Sequence, residues 1–168
     1  MDVKQRILAA ATRRFADYGY AKTTMVEIAA DAGMSVGNLY RHFENKEALA
    51  IACMRRQLES KLRSGLDAAD RAKSANEAFE AFLLARLRAG HAQFANTRHL
   101  YDMVRLVNER YRDLLLDFES KVIQALADIL RQGIREGAFD VDDPDRTAYD
   151  IHQALMRYNH PVSLRYNE

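Results

Sequence analysis

The chain has 168 residues, a formal net charge of +1 at pH 7 and a single cysteine, which excludes an internal disulfide and is typical of a reducing cytoplasm. Its length is sufficient for one or two compact units with a real core. No apolar run approaches the ~18 residues that span a bilayer, and the N-terminus lacks a signal peptide's hydrophobic block, so we expect a cytoplasmic protein with no membrane partner.

The hydrophobic pattern is helical to the end of the chain and shows no β-like alternation, which predicts an all-α fold. The first well-marked element begins after Thr24, because Thr24 and Glu27 form a capping box. Its buried side is predicted to be Val26, Ile28, Ala29 and Ala32. Gly33 follows at the position where a helix end tolerates positive φ, so this helix should end near Ala32.

A second short helix is predicted after Ser35, which is a good N-cap residue. Leu39 and Phe43 would be buried, whereas the remaining side chains point elsewhere. Two helices joined by about three residues containing glycine are typical of a helix-turn-helix, whose second helix enters the major groove of DNA.

The residues from Lys4 to Leu49 carry a denser pattern. The first helix reads ILAAATRRFADYGY, the junction AKTT, the next helix EIAADAG and the following segment SVGNLYRHFENKEAL. This pattern resembles the N-terminal domain of the TetR/AcrR family of transcriptional regulators. The resemblance implies a three-helix helix-turn-helix domain over residues 1–46 and a C-terminal helical domain for ligand binding and dimerisation over residues 47–168.

The resemblance also implies roles for individual residues. Phosphate contacts position the protein and fall on Thr24, Tyr40, His42 and Lys46. Base-facing positions are Ser35, Val36, Gly37 and Asn38, with Arg41 counted in the same DNA-binding set. The amide of Asn38 has the donor and acceptor that would read adenine.

One departure from the family pattern is Val36, since many relatives carry Lys or Arg there; a thymine methyl is then a plausible contact. Structural alternatives stay open for several of these residues. Thr24 and Ser35 also act as caps, Tyr40 would cover the edge of the core, and Arg41 with His42 would form a solvated pair.

Charge is distributed unevenly along the chain. Residues 1–64 contain 11 Lys+Arg and 7 Asp+Glu, a balance of +4, and the remainder has a balance of −3. The half that carries the helix-turn-helix pattern is therefore the basic half, which favours a polyanionic partner for it.

Further helices are predicted downstream. Asn45 should cap a long fourth helix with Leu49, Cys53 and Leu62 near one face, where Cys53 is expected to be a small buried hydrophobe. Ser74 and Glu77 form a second capping box before a fifth helix, and residues 97–107 are predicted to form a short sixth. A long seventh helix is predicted from residue 108 to just before Gly137, with an apolar face of Tyr111, Leu115, Phe118, Val122, Ala125, Leu126, Ile129 and Leu130.

The segment FDVDDPD contains four aspartates but lacks the glycine and distal glutamate of an EF-hand. We therefore predict that Asp143 caps an eighth helix with Pro144 at its first position, ending before Pro161. No metal site and no cofactor are predicted.

For the C-terminal half, the resemblance implies that the fourth to seventh helices enclose a ligand cavity and that the last two helices form a four-helix dimer interface. The family usually has a ninth helix, which this chain is expected to lack. Candidate ligand-binding residues are polar or soft side chains on apolar faces, for which core packing is the alternative: His91, Phe94, Tyr101, Met103, Phe118, Tyr149, His152 and Met156. The absence of a cationic run favours a neutral or amphiphilic ligand.

The sequence therefore favours a ligand-responsive transcriptional regulator, a repressor released from a palindromic DNA operator by a small-molecule effector and acting as a homodimer. The alternative is a helical ligand-binding or protein-interaction module without operator binding. An enzyme is not expected, because the dinucleotide, P-loop, zinc-protease and nucleophile-elbow motifs are all missing from the sequence.

Overall fold

The computed structural model describes residues 2–95, 106 and 109–159. These residues contain no strand, which confirms the predicted all-α class. The helices are α1 (Val3–Tyr18), α2 (Met25–Asp31), α3 (Val36–His42), α4 (Lys46–Ala69), α5 (Ala75–Ala95), α6 (Arg112–Arg135) and α7 (Pro144–Asn159). The short helix predicted over residues 97–107 lies, apart from residue 106, outside the described residues.

The described residues pack as two compact units. The first contains α1, α2, α3 and α4 as far as Gln57, together with residues 109–112. The second contains α4 from Leu58, most of α5, and nearly all of α6 together with α7. Helix α4 therefore contributes residues to both units as one continuous element, and the boundary predicted at residues 46 and 47 remains a prediction.

The core of the first unit is apolar and confirms the buried positions predicted at Ile28, Leu39 and Phe43; Phe15 is buried with them. Cys53 is also buried as predicted, at 1% exposure. The prediction that Val26 is buried is wrong, because this side chain is 64% exposed. Met25, at 6% exposure, is buried instead, because it lies three, four and seven residues before the buried Ile28, Ala29 and Ala32 and so shares their side of the helix.

Capping residues set most of the helix starts at their predicted places. Asn45 Oδ1 accepts a hydrogen bond from Ala48 N at 2.8 Å, and Asp143 Oδ1 accepts one from Arg146 N at 2.9 Å. Each bond satisfies a backbone N–H that has no partner inside the helix. At the start of α5, Ser74 caps Glu77 N as predicted, but the Glu77 side chain accepts from Lys73 N and not from the Ser74 backbone.

The second unit is built around the apolar face of α6. Its buried cluster combines residues from α5, α6 and α7: Ala78, Phe82, Val122, Leu126, Ala127, Ile129, Leu130 and Ala148. The loop after α6 closes on this core, because the Phe139 ring lies against Gly133 where a Cβ would overlap it. Among the described residues, no helix has both the length and the apolar character needed to cross a membrane.

Candidate functional site

The N-terminus of α2 is fixed by the predicted capping box. Glu27 Oε2 accepts hydrogen bonds from Thr24 N at 2.9 Å and from Thr24 Oγ1 at 2.8 Å, while Thr24 Oγ1 accepts from Glu27 N at 3.3 Å. These bonds hold the pKa of Glu27 below its usual value. The Thr24 hydroxyl is exposed but already donates to Glu27, so a phosphate would have to share or replace that bond.

Helix α2 is also tied to α1 through Arg14, whose role the sequence did not reveal. Arg14 Nε donates to Asp31 Oδ2 at 2.6 Å and a second guanidinium nitrogen donates to Asp31 Oδ1 at 3.1 Å. A third contact joins Arg14 to Glu27 at 3.2 Å. The bidentate pair lowers the pKa of Asp31 and fixes the orientation of α2 on α1.

The turn between α2 and α3 and the start of α3 follow from two residues. Gly33 has φ of 67°, a left-handed conformation that favours glycine. Ser35 Oγ accepts from Asn38 N at 3.2 Å and so caps α3. Leu39 and Phe43, at 0% and 6% exposure, anchor the inner side of α3 to the core. The opposite side of α3 therefore faces outward in a fixed orientation.

That outward side contains most of the residues predicted to contact DNA. Ser35, Gly37, Tyr40, Arg41 and His42 are exposed, as is Thr24, while Val36 and Asn38 are half-buried. Within the described residues, the Asn38 amide makes one weak contact, from Nδ2 to Met34 Sδ at 4.0 Å, which leaves its hydrogen-bonding groups largely available. The face thus presents an amide, a phenol and two basic side chains together.

Lys46, the remaining predicted DNA contact, binds its own domain. Its Nζ donates to the backbone carbonyls of Tyr20 at 2.8 Å and Thr23 at 2.9 Å, and it lies 4.4 Å from the centre of the Tyr20 ring. An ammonium has three N–H donors, so one is left for a phosphate. Sequence reasoning missed this contact because Tyr20 and Lys46 are far apart in the chain.

A second contact at the start of α4 was also missed. Glu47 Oε1 accepts a hydrogen bond from the Tyr111 hydroxyl at 2.8 Å, and Glu47 Oε2 accepts one from Arg110 at 2.9 Å. Tyr111, followed by Arg110, lowers the pKa of Glu47. The segment that precedes α6 is therefore bound to the first turn of α4, one residue from Lys46.

The candidate ligand-binding residues that the structure describes differ in their exposure. His152 is buried at 5% exposure, Phe118 packs against the core of the second unit and Met156 is half-buried. His91 and Tyr149 are exposed at the surface. Tyr101, Met103 and the side chain of Phe94 lie outside the described residues.

The described part of the chain offers neither a group of side chains that could bind a metal ion nor a reactive thiol. No group of three or more His, Cys, Asp or Glu side chains there could hold a metal ion. Burial raises the pKa of the Cys53 thiol to about 11, and its Sγ lies 3.7 Å from the Leu8 carbonyl oxygen. A protonated buried thiol is a poor nucleophile, so Cys53 acts as part of the core.

Both parts of the chain match family models. Residues 7–53 match bacterial regulatory proteins of the tetR family, and residues 75–168 match the tetracyclin repressor-like C-terminal domain. The repressor KstR2 of Mycobacterium tuberculosis is 28% identical over 160 residues, covering 92% of this chain and 80% of the relative.

Two further proteins are similar over most of their length. The uncharacterized helix-turn-helix regulator YhgD of Bacillus subtilis is 25% identical over 149 residues, covering 89% of this chain and 78% of YhgD. The crystal structure of a transcriptional regulator from Cytophaga hutchinsonii has a TM-score of 0.75 at 24% identity, covering 90% of this chain and 77% of that one. The last likeness shows that the fold is shared.

Proposed function

The chain belongs to the TetR family of bacterial regulatory proteins, and we propose that it is a cytoplasmic, ligand-responsive transcriptional repressor that binds a roughly palindromic operator as a homodimer. KstR2, which is similar to this chain over most of its length, is a transcriptional repressor. This similarity supports repression, as opposed to activation, in the proposal. The proposed DNA-binding domain is residues 1–46 and the proposed effector and dimer domain is residues 47–168.

The observation that carries the proposal is the outward side of α3. Leu39 and Phe43 fix the inner side in the core, so Asn38, Tyr40 and Arg41 are presented together on a rigid element. Preorganised side chains lose less entropy on binding than mobile ones. We propose that Asn38 reads a base edge, that Tyr40 and His42 contact phosphates, and that Lys46 contributes its third N–H.

Homodimer formation is supported by apolar surface on α6 and α7. Leu116 is 50% exposed, Tyr149 43% and Tyr158 56%, and all three lie on the helices that form the dimer interface in the family. Such side chains on a surface mark interaction sites when they are grouped. A symmetric dimer would present two α3 helices about one DNA turn, ~34 Å, apart.

Ligand response is supported by the continuity of α4. This helix begins at Lys46, next to the proposed DNA contacts, and contributes to both compact units. A ligand that favours one position of α4 would change the spacing of the two α3 helices. A coupling free energy of about 1 to 3 kcal/mol is enough for a response of roughly 5- to 150-fold.

The test is the affinity of the protein for a labelled duplex from the region upstream of its own gene, measured by fluorescence anisotropy at several salt concentrations. We expect an affinity that falls steeply with salt. Asn38→Ala should weaken binding by at least roughly 30-fold, because the dimer loses two base contacts of about 1–3 kcal/mol each.

Asn76→Ala, the same substitution at an exposed asparagine of α5, is the matched control and should bind the duplex like wild type. Salt-insensitive binding, or equal affinity of wild type and Asn38→Ala, would favour the alternative of a ligand-binding or interaction module without operator binding.

A further inference from the structure

The second unit contains two almost fully buried basic side chains with unpartnered nitrogens. Arg86 on α5 is 2% exposed and His152 on α7 is 5% exposed. Neither Arg86 Nε nor His152 Nε2 has a hydrogen-bond partner within the described part of the chain. These are the only two buried side-chain nitrogen or oxygen atoms there for which this holds.

The two side chains belong to one cluster that also includes Lys61 of α4. Burial, followed by the nearby Arg86 and Lys61 cations, lowers the pKa of His152 to about 4. Burial and then Arg86 lower the pKa of Lys61 to about 8. Among the described residues, Arg86 therefore lies close enough to His152 to act on it electrostatically.

Packing places the Arg86 side chain directly against α4. A Cβ at Gly65, one turn after Lys61, would lie 2.7 Å from Arg86 Cγ and 2.9 Å from Phe82. The Arg86 guanidinium lies over the Phe82 ring at 5.3 Å, and Phe82 belongs to the apolar core of this unit. Glycine at position 65 therefore allows a long cationic side chain to enter an apolar interior.

Such an arrangement is costly for the protein alone. A buried charge needs a counter-charge or a set of hydrogen bonds, and otherwise the group loses its proton. Lys and His can deprotonate, but a guanidinium remains charged near pH 7: burial lowers the pKa of Arg86 only to about 10. A bound anion would supply a counter-charge and an acceptor for Arg86 Nε together.

We propose that Arg86 and His152 form the head-group site of the effector pocket, and that the effector is an organic carboxylate with an apolar body. One carboxylate oxygen accepts a hydrogen bond from Arg86 Nε and the other accepts from His152 Nε2–H. The neighbouring Phe82 side chain and the core around it favour an apolar body. The role of this ligand as an effector rests on the proposed regulatory function, whereas the binding site does not.

The lack of a cationic run in the C-terminal half of the sequence favours a neutral or amphiphilic ligand, and a carboxylate with an apolar body is amphiphilic but charged. Its cationic partners are not visible as a run, since residues 61, 86 and 152 come from three separate helices and are brought together only by folding. Among the candidate ligand residues that the structure describes, His152 belongs to this cluster.

The first experiment measures Tm in a buffer without carboxylate or phosphate. Arg86→Met keeps most of the side-chain volume and removes the buried charge, so its Tm should rise by roughly 2–4 °C relative to wild type. The matched control is Arg88→Met, the same change at an exposed position of the same helix, and it should leave Tm unchanged. A lower Tm in Arg86→Met would overturn the proposal, because it would mean that Arg86 is a structural residue.

The second experiment measures binding of decanoate and of decanol to the three proteins by titration calorimetry. Decanoate should bind wild type and Arg88→Met equally, and Arg86→Met more weakly by at least roughly 30-fold. Decanol, which lacks the charge, should bind all three proteins with equal affinity. Failure of wild type to bind decanoate, or equal decanoate affinity in Arg86→Met, would overturn the proposal.

A second variant and an NMR titration distinguish loss of the binding site from misfolding of Arg86→Met. NMR titration should show the pKa of His152 rising when decanoate is bound, and this signal should be missing in His152→Gln. An unchanged His152 pKa would contradict the contact. None of these measurements contains DNA, so a failure of operator binding counts against the proposed function alone.

Discussion

At the scale of single residues, a substitution at Gly37 should affect stability and DNA affinity in opposite directions. It lies in the first turn of α3, is exposed, and has no atom within 4 Å of the place where a Cβ would lie. The fold itself therefore gives no reason for glycine at this position. Glycine in a helix interior costs roughly 0.5–1 kcal/mol relative to alanine.

Gly37→Ala should accordingly raise the free energy of unfolding by up to roughly 1 kcal/mol. It should nevertheless weaken DNA binding, because the added methyl group would lie between α3 and the base edges. Urea denaturation and fluorescence anisotropy with the same duplex measure the two effects. If DNA affinity did not change, Gly37 would not lie at the DNA interface.

His152 gives a pH dependence whose sign follows from its environment. Burial, together with the facing Arg86 and Lys61 cations, lowers its pKa to about 4 in the folded state from the ordinary value of 6.5. Below pH 6.5 the unfolded chain binds a proton that the folded protein binds only near pH 4. The contribution of His152 to the free energy of unfolding is therefore complete above pH 6.5 and is lost as the pH falls toward 4.

His152→Gln should remove this dependence. Between pH 7 and pH 4.5, wild type should lose roughly 2 kcal/mol more of its free energy of unfolding than the variant does. Urea denaturation at the two pH values measures the difference, with His42→Gln as the control at an exposed histidine. Parallel losses in wild type and His152→Gln would show that the imidazole titrates normally.

At the scale of helices, the contacts of Lys46 join the start of α4 to the loop between α1 and α2. Lys46→Met removes the donor for two backbone carbonyls, those of Tyr20 and Thr23. An acceptor left without its partner typically costs about 1–3 kcal/mol. We expect the free energy of unfolding to fall by about this amount, measured by urea denaturation.

The control for that variant is Lys22→Met, an exposed lysine in the loop itself, which should unfold like wild type. Equal stability of Lys46→Met and Lys22→Met would mean that the Lys46 contact is not formed in solution. In that case, a difference in DNA affinity between the two variants would report only the loss of the phosphate contact proposed for Lys46.

Local signals predicted helix boundaries well, whereas contacts between distant residues were not predictable. Thr24, Asn45 and Asp143 each mark a helix start, because capping depends on residues three or four apart. The prediction for Val26 is wrong because apolar character alone does not decide burial, whereas the three- and four-residue spacing places Met25 on the same side as Ile28 and Ala29. The Lys46 contact with Tyr20, and the Arg86 cluster, depend on tertiary packing that no short sequence pattern encodes.

At the scale of the whole molecule, the chain combines the outward side of α3, which we propose contacts DNA, with a second unit that contains two buried basic side chains. Each of these, Arg86 and His152, has a nitrogen without a hydrogen-bond partner among the described residues. Natural proteins retain such costly groups mainly where function requires them. The same buried charge that lowers the stability of the free protein would give an anionic ligand a large differential affinity. Since α4 contributes to both units, ligand binding and DNA binding would share one structural element.

The proposal that the protein reads a palindromic operator as a dimer is tested most directly by selection of bound sequences from a random double-stranded DNA pool at low salt, with Asn38→Ala selected in parallel. Wild type should enrich an inverted repeat whose half-sites are about one helical turn apart. Asn38→Ala should lose the preference at the base pair that Asn38 reads in each half-site. No enrichment by wild type, or the same enriched repeat with both proteins, would contradict it.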